Sequence, residues 1–379
     1  MSDKITVLLV EDDLGVGETT RDTISEKLPD VDVILERSFR QAERRIEEEL
    51  PDMVVLDLFD DATQEELAGQ PVWKTIWDTR FCPLVFHSAH DLPEEPVVPS
   101  DHPFVKFVKK HSGSDGEVAG HLQTFLPHVQ AIRGVNKEIS SVTQGALRDV
   151  CVPIWAAQPE GPGRDDILKR AVRRRVAAKI DLAMVSTGKP MHDWEQYIIP
   201  ALGSDLLTGD LLRNITSEPK DATSYRLVLS PSCDMATGEG RKPLANILVA
   251  KCGEIAGFLK GAQLDGLTEE KLRKRLPAIL TRDQCGGCIP LPELPGLVSV
   301  IPVMAASLKE LELIQRESIG NASGAGINYL RVASVDSPFR ERIAWAYLQV
   351  SGRPGMPESD PAAFIDSIVK ATAPPKPAS

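Results

Sequence analysis

The sequence predicts two modules of different class. The first is a doubly wound α/β unit of five parallel strands, and the second is an α+β unit with a β-rich core. Three observations carry this. Short β-branched apolar runs alternate with charged, helix-patterned segments over the first third. Several of those runs stop abruptly at carboxylates or hydroxyls. Beyond it, strand-like runs are punctuated by Pro, Gly and four cysteines instead.

Each element follows in order. Ile5–Val10 is a continuous apolar run, as expected of a strand buried on both faces of a parallel sheet, and it ends in Glu11-Asp12-Asp13. Residues 18–28 read as a helix, and Asp13 as a rim residue or helix cap. Residues 31–35 read as a second strand and 38–50 as a charged amphipathic helix. Residues 52–58 form a third strand with Asp57 at its C-terminal end. Residues 83–88 form a fourth, ending at Ser88, and 103–109 a fifth. His87 and His90 flank Ser88 and read as core or surface residues. A helix near 115–130 closes the unit, with Val118, Leu122, Phe125, Leu126 and Val129 at helical spacing. That stripe packs on the sheet or offers a homodimer face. A break is expected at residues 131–136.

In a doubly wound sheet the reactive site lies beyond the carboxyl ends of the strands. Glu11, Asp12, Asp57, Ser88 and one of Lys109 and Lys110 all fall there. Converging carboxylates repel one another unless a hard cation sits among them, and Mg²⁺ suits such oxygen donors. A carboxylate can also attack phosphorus and form an aspartyl phosphate. A nearby hydroxyl and an ammonium would then hold the phosphoryl oxygens.

The ordered set Val-Leu-Leu-Val-Glu11-Asp12-Asp13, Val-Val-Leu-Asp57, Leu-Val-Phe-His-Ser88-Ala89 and a strand ending in Lys109-Lys110 resembles the receiver domain of two-component response regulators. The resemblance covers about the first 130 residues. It implies that Asp57 is the phosphoacceptor and that Glu11, Asp12 and Asp57 form a Mg²⁺ site. It makes Ser88 the switch hydroxyl, Lys110 the conserved-type lysine with Lys109 as the alternative, and Phe107 the aromatic switch position. Two features depart from the family pattern. His111 stands where proline commonly follows the lysine, and the loop after Asp57 is longer and more acidic. A sensor histidine kinase is the partner the resemblance implies, with another receiver or an effector protein downstream.

Charge divides the chain. Residues 1–133 carry 13 basic and 27 acidic side chains, and residues 134–379 carry 30 and 28. The acidic first module disfavours nucleic acid and favours cations or basic protein surfaces. With 379 residues, two or three domains are expected. The division read from the sequence is a receiver over 1–133, a helical connector and turn over 134–163, the cysteine-bearing module over 164–370, and a disordered tail over 371–379. No apolar run is long enough to span a membrane. The N-terminus lacks a signal-peptide pattern, so a cytoplasmic protein is expected.

Residues 165–179 read as a helix with Asp165 and Asp166 at its start and Lys169, Arg170, Arg173, Arg174, Arg175 and Lys179 following. This is read as a solvated face, with docking of the acidic receiver as the functional alternative. No helix-turn-helix pattern follows it.

In the second module, residues 225–230, 246–252, 297–304 and 329–333 read as strands. Cys233 and Cys252 each follow a strand, and Cys285-Gly-Gly-Cys288 sits in a turn. Four thiolates could hold a structural Zn²⁺, and Zn²⁺ is expected there as a second cofactor. No histidine is placed to activate a cysteine nucleophile, so catalysis on an external substrate is not expected. The function read from the sequence is a two-component signalling protein with a non-DNA-binding output. One form of it is a phosphate sink, as in some two-component systems including antiviral ones. The alternatives are a receiver-gated effector enzyme or a transcriptional regulator acting through residues 151–379.

Overall fold

In the computed structural model the described residues are 4–59, 68–78, 81–91, 102–157, 160–186, 190–238, 240–294, 301–352 and 361–372. The chain divides into two units, Met1–Gly188 and Lys189–Ser379.

The first unit is built on β1 (Ile5–Val10), β2 (Val31–Glu36), β3 (Met53–Leu56), β4 (Leu84–Ser88) and β5 (Val105–Lys109). All pair in parallel in the order β2-β1-β3-β4-β5. That strand order is one of the two common doubly wound arrangements. Helices α1 (Leu14–Lys27) and α4 (Ser114–Ala157) cover one face, where Ile24, Val118 and Leu122 meet Val7, Leu9 and Val85. Helices α2 (Phe39–Glu49) and α3 (Gly69–Asp78) cover the other, where Ile46 and Ile76 meet Leu8, Val54 and Phe86. The central strands are sealed on both sides, which is why they read as unbroken apolar runs. Each such Val, Leu or Ile contributes about 1.5–3 kcal/mol by burial. Asp13 caps α1, its Oδ1 accepting from Val16 N at 2.9 Å.

The break expected at residues 131–136 is absent. Helix α4 runs unbroken for 44 residues, about 66 Å. Gly134 costs a helix only about 1 kcal/mol, and its neighbour Arg133 is clamped to Asp52 Oδ1 at 2.6 Å and to Lys4 O at 2.7 Å. The charge step at residue 133 thus lies inside a continuous helix. Helix α5 (Pro162–Ser186) packs against α4, with Arg175 and Lys179 reaching Asp149 at 2.9 and 3.4 Å.

The second unit holds an eight-stranded sheet in the order β10-β11-β9-β8-β7-β13-β12, with β6 also on β13. Its strands are β6 (Tyr197–Ile198), β7 (Asp210–Asn214), β8 (Tyr225–Val228), β9 (Asn246–Glu254), β10 (Cys288–Leu291), β11 (Met304–Gln315), β12 (Ile319–Gly320) and β13 (Tyr329–Val335). All pairings are antiparallel except β12 with β13. The helices are α6 (Ser232–Met235), α7 (Ala256–Gly261), α8 (Glu269–Leu280), α9 (Phe339–Ser351) and α10 (Ala362–Thr372). This is the α+β class expected. Of the strand predicted at 297–304, residues 301–304 are described: Ile301 makes an isolated bridge to Leu294, and β11 starts at Met304 after Pro302. Residues 295–300 and most of the predicted tail lie outside the described residues.

A buried ion pair anchors this sheet. Arg331 Nε donates to Asp210 Oδ2 at 2.6 Å, Ser334 Oγ donates to Asp210 Oδ1 at 2.6 Å, and Arg331 also donates to the carbonyls of Gly203 and Leu202. Burial raises the Asp210 pKa, and the hydrogen bonds from Arg331 and Ser334 oppose that rise.

Candidate functional site

The carboxyl ends of β1, β3 and β5 converge. Asp57 N donates to Val10 O at 3.0 Å and Glu11 N to Glu36 O at 3.0 Å, which seats both residues just past their strands. Glu11 is 1% exposed and Asp57 6%. One ligand oxygen from each of Glu11, Asp12 and Asp57 lies within 4.8 Å of the others, the only such cluster of His, Cys, Asp or Glu among the described residues. Asp57 Oδ1 accepts from Leu58 N at 2.6 Å and Phe59 N at 3.3 Å. Its other oxygen, Oδ2, faces Lys110 Nζ at 2.5 Å, and the same ammonium lies 2.7 Å from Glu11 Oε2.

The structure separates the two lysines. Lys110 follows β5 and turns into the carboxylates. Lys109 lies in the strand, is 55% exposed at its side chain, and pairs with Asp91 at 2.9 Å. Alternation along an extended strand places neighbouring side chains on opposite sides. Ser88 ends β4 fully buried, and its Oγ has no hydrogen-bond partner among the described residues. Phe107 packs at the edge of the α2/α3-side core.

Electrostatics follow from burial. Desolvation pushes the Glu11 carboxyl up to about 7, against the attraction of Lys110 and with the repulsion of Asp57. Burial pulls the Lys110 pKa down, but Asp57 and Glu11 outweigh it and the net shift is upward. One ammonium therefore serves two buried carboxylates, with Asp12 close by. All these donors are hard oxygens, which fits Mg²⁺.

Sequence reading missed two supports of this site. Gly69 opens α3 directly over the end of β3: a Cβ there would lie 2.4 Å from Asp57 O, and Gly69 N donates to Leu58 O at 3.1 Å. Arg37 donates from Nη2 to Asp12 O at 3.0 Å. A lone glycine or arginine in sequence gives no sign of such contacts.

The four cysteines expected to bind zinc are not gathered. Cys252 pairs with Ala306 across the sheet, whereas Cys288 pairs with Ser307. Consecutive residues of β11 face opposite sides, so Cys252 and Cys288 do too. Cys252 packs with Leu227, Ala250 and Ala306, while Cys285 packs with Phe258 and Ala305. Cys233 is exposed on α6. The Cys285–Cys288 turn is a tight hairpin: the two residues exchange backbone hydrogen bonds of 3.0 and 2.9 Å, with Gly286 at φ 63° and Gly287 at φ 89°. Those angles are those of a type I′ turn, which accounts for the glycine pair without a metal.

Comparison with known proteins finds similarity only among solved structures. No protein-family model matches the chain, and no curated protein matches it. Among solved structures, the first third is similar to response-regulator receiver domains. The response regulator domain of CheB from Thermotoga maritima is 23% identical and covers 34% of this chain and 95% of its own, with a TM-score of 0.25. The receiver domain of HemR from Leptospira biflexa is 24% identical and covers 32% and 93%, with a TM-score of 0.27. The N-terminal domain of a response regulator/sensory box/GGDEF 3-domain protein from Carboxydothermus hydrogenoformans is 18% identical and covers 35% and 98%, with a TM-score of 0.25.

Proposed function

We propose that the chain is a two-component signalling protein whose first unit accepts a phosphoryl group on Asp57. The observation that supports this most directly is the placement of Asp57: a buried carboxylate at a strand end, ringed by Glu11, Asp12 and Lys110, with the unpartnered hydroxyl of Ser88 also at a strand end.

In the reaction, a carboxylate oxygen of Asp57 attacks the phosphorus of a phosphohistidine on a sensor kinase. The P–N bond breaks, its electron pair leaves with the imidazole, and the imidazole takes up a proton. Glu11, Asp12 and Asp57 would hold Mg²⁺, which when bound offsets charge on the phosphoryl oxygens. Lys110 pairs with one phosphoryl oxygen as a point charge, and Ser88 donates a hydrogen bond to another. The backbone amides of Leu58 and Phe59 keep the Asp57 side chain oriented.

The test is intact mass of the full chain after incubation with Mg²⁺ and acetyl phosphate, beside the Asp57→Asn variant. An acid-stable, base-labile gain of about 80 Da on the wild type alone is expected. A folded wild type that gains no mass, while a control receiver does, would refute the assignment.

A further inference from the structure

Two buried polar atoms without a hydrogen-bond partner among the described residues sit on consecutive residues of β4, Ser88 Oγ and His87 Nδ1. Alternation sends them to opposite faces. Ser88 shares the face of Phe86, toward α2 and α3, and His87 shares the face of Val85, toward α1 and α4. The Ser88 hydroxyl has a role in the phosphoacceptor reading. His87 has none there, yet it is 2% exposed. A ring nitrogen stranded in a core costs about 1–3 kcal/mol, so packing alone is a poor reason for a histidine here.

What His87 does hold is the start of α4. Its Nε2 lies 2.9 Å from the Oγ of Ser114, the first residue of that helix. Ser114 Oγ also accepts from His111 N at 3.3 Å, and Ser114 N donates to His111 O at 3.1 Å. The same short loop begins with Lys110, whose backbone N donates to Ser88 O at 2.9 Å and whose ammonium sits on Asp57. Burial, and then the nearby Lys110 charge, lower the His87 pKa and keep the ring neutral at pH 7. A cleft of about 430 Å³, lined by Val16, Thr19, His87, Lys110, His111 and Ser114 among others, borders this corner.

We propose that His87 is a positioning residue that ties the first turn of α4 to β4, so that phosphorylation of Asp57 is passed through residues 110–114 into the 44-residue helix. This deepens the phosphoacceptor reading and rests on it. It gives β4 a second outlet, on the face opposite Ser88, aimed at the helix that leaves the sheet.

Hydrogen exchange by mass spectrometry tests it on the full chain, with and without Mg²⁺ and acetyl phosphate. Intact mass is taken on the same samples. In the wild type, phosphorylation should change exchange in peptides covering residues 114–130 by about fivefold or more. Ser114→Ala and His87→Ala should take up phosphate within about twofold of wild type yet lose that response. Their unphosphorylated α4 start should exchange about five- to tenfold faster. His87→Gln, whose side-chain amide can still hydrogen-bond Ser114 Oγ, should restore the response, a rescue that a purely packing role would not produce. If Ser114→Ala responds like wild type while His87→Ala merely unfolds, the tie is refuted. An adduct on all variants with an unaltered α4 response overturns this inference alone. No adduct on the wild type overturns the phosphoacceptor reading and this one together.

Discussion

Lys110 Nζ lies 2.5 Å from Asp57 Oδ2 and 2.7 Å from Glu11 Oε2, so a single ammonium balances two buried carboxylates. Removing it by Lys110→Ala leaves Asp57 uncompensated, and Glu11 as well once it ionises above about pH 7. Breaking a buried pair costs about 3–5 kcal/mol, and the partial exposure of Lys110 puts the expected loss near the lower end. Lys109→Ala, which breaks only a surface pair, should stay within about 1 kcal/mol. Urea titration of the two variants, each beside wild type, checks the contrast; equal losses would contradict the site geometry.

The raised Glu11 pKa has a signed consequence for stability. Between about 4.5 and about 7 the folded chain holds a proton on Glu11 that the unfolded chain has released. Stability from this group is therefore greatest at low pH and falls as pH rises through that window, by up to about 3 kcal/mol. Glu11→Gln should remove this slope. His87, whose pKa is lowered, contributes the opposite slope near its ordinary value, so the informative quantity is the difference between wild type and Glu11→Gln in EDTA. A pH-independent difference would refute the assignment.

Gly69→Ala should damage the site without touching a charged group. The added methyl would meet Asp57 O at 2.4 Å and Leu58 Cα at 3.0 Å, both backbone. Overpacking of this kind costs about 1–3 kcal/mol, and the end of β3 must move to relieve it. The expected result is a lower yield of acetyl-phosphate adduct from a folded protein, read by intact mass.

In the second unit, Asp210→Ala strands the Arg331 guanidinium, whose side chain is 1% exposed. A loss of about 3–5 kcal/mol is expected. Chemical denaturation of the full chain should show it in the transition of the second unit alone.

Thiol labelling checks the cysteine arrangement. Cys233 is exposed and should react first with a thiol reagent at pH 8. Cys252, whose thiol burial pushes up to about 12, should react only after unfolding. EDTA should leave both rates unchanged. Protection of all four cysteines that a chelator lifts would restore the zinc site.

The parts of the fold that were legible share a cause. Parallel strands buried on two faces must be apolar throughout, so β1 and β3 announced themselves, and the carboxylates ending them followed. The choice between Lys109 and Lys110 was open in the sequence because it depends on where β5 stops. Residues 308–315, Leu-Lys-Glu-Leu-Glu-Leu-Ile-Gln, have a helix former's composition, yet they extend β11 along β9, where Glu312 pairs with Arg226 at 2.8 Å. Tertiary pairing outweighed local propensity there. The cysteine spacing suggested a metal because spacing says nothing of which sheet face a strand residue takes. The His87–Ser114 bond joins residues from two elements and leaves no local trace.

The unbroken α4 makes the chain sensitive to phase. Each residue inserted or deleted between its sheet-packed half and the half that pairs with α5 would turn one end about 100° against the other. Losing one residue near 136–140 would swing Asp149 away from the direction in which Arg175 and Lys179 now meet it, unless α5 turned with it. Losing seven would restore the direction to within about 20°. A helix of this kind carries angle as well as distance, and its length is quantised in turns.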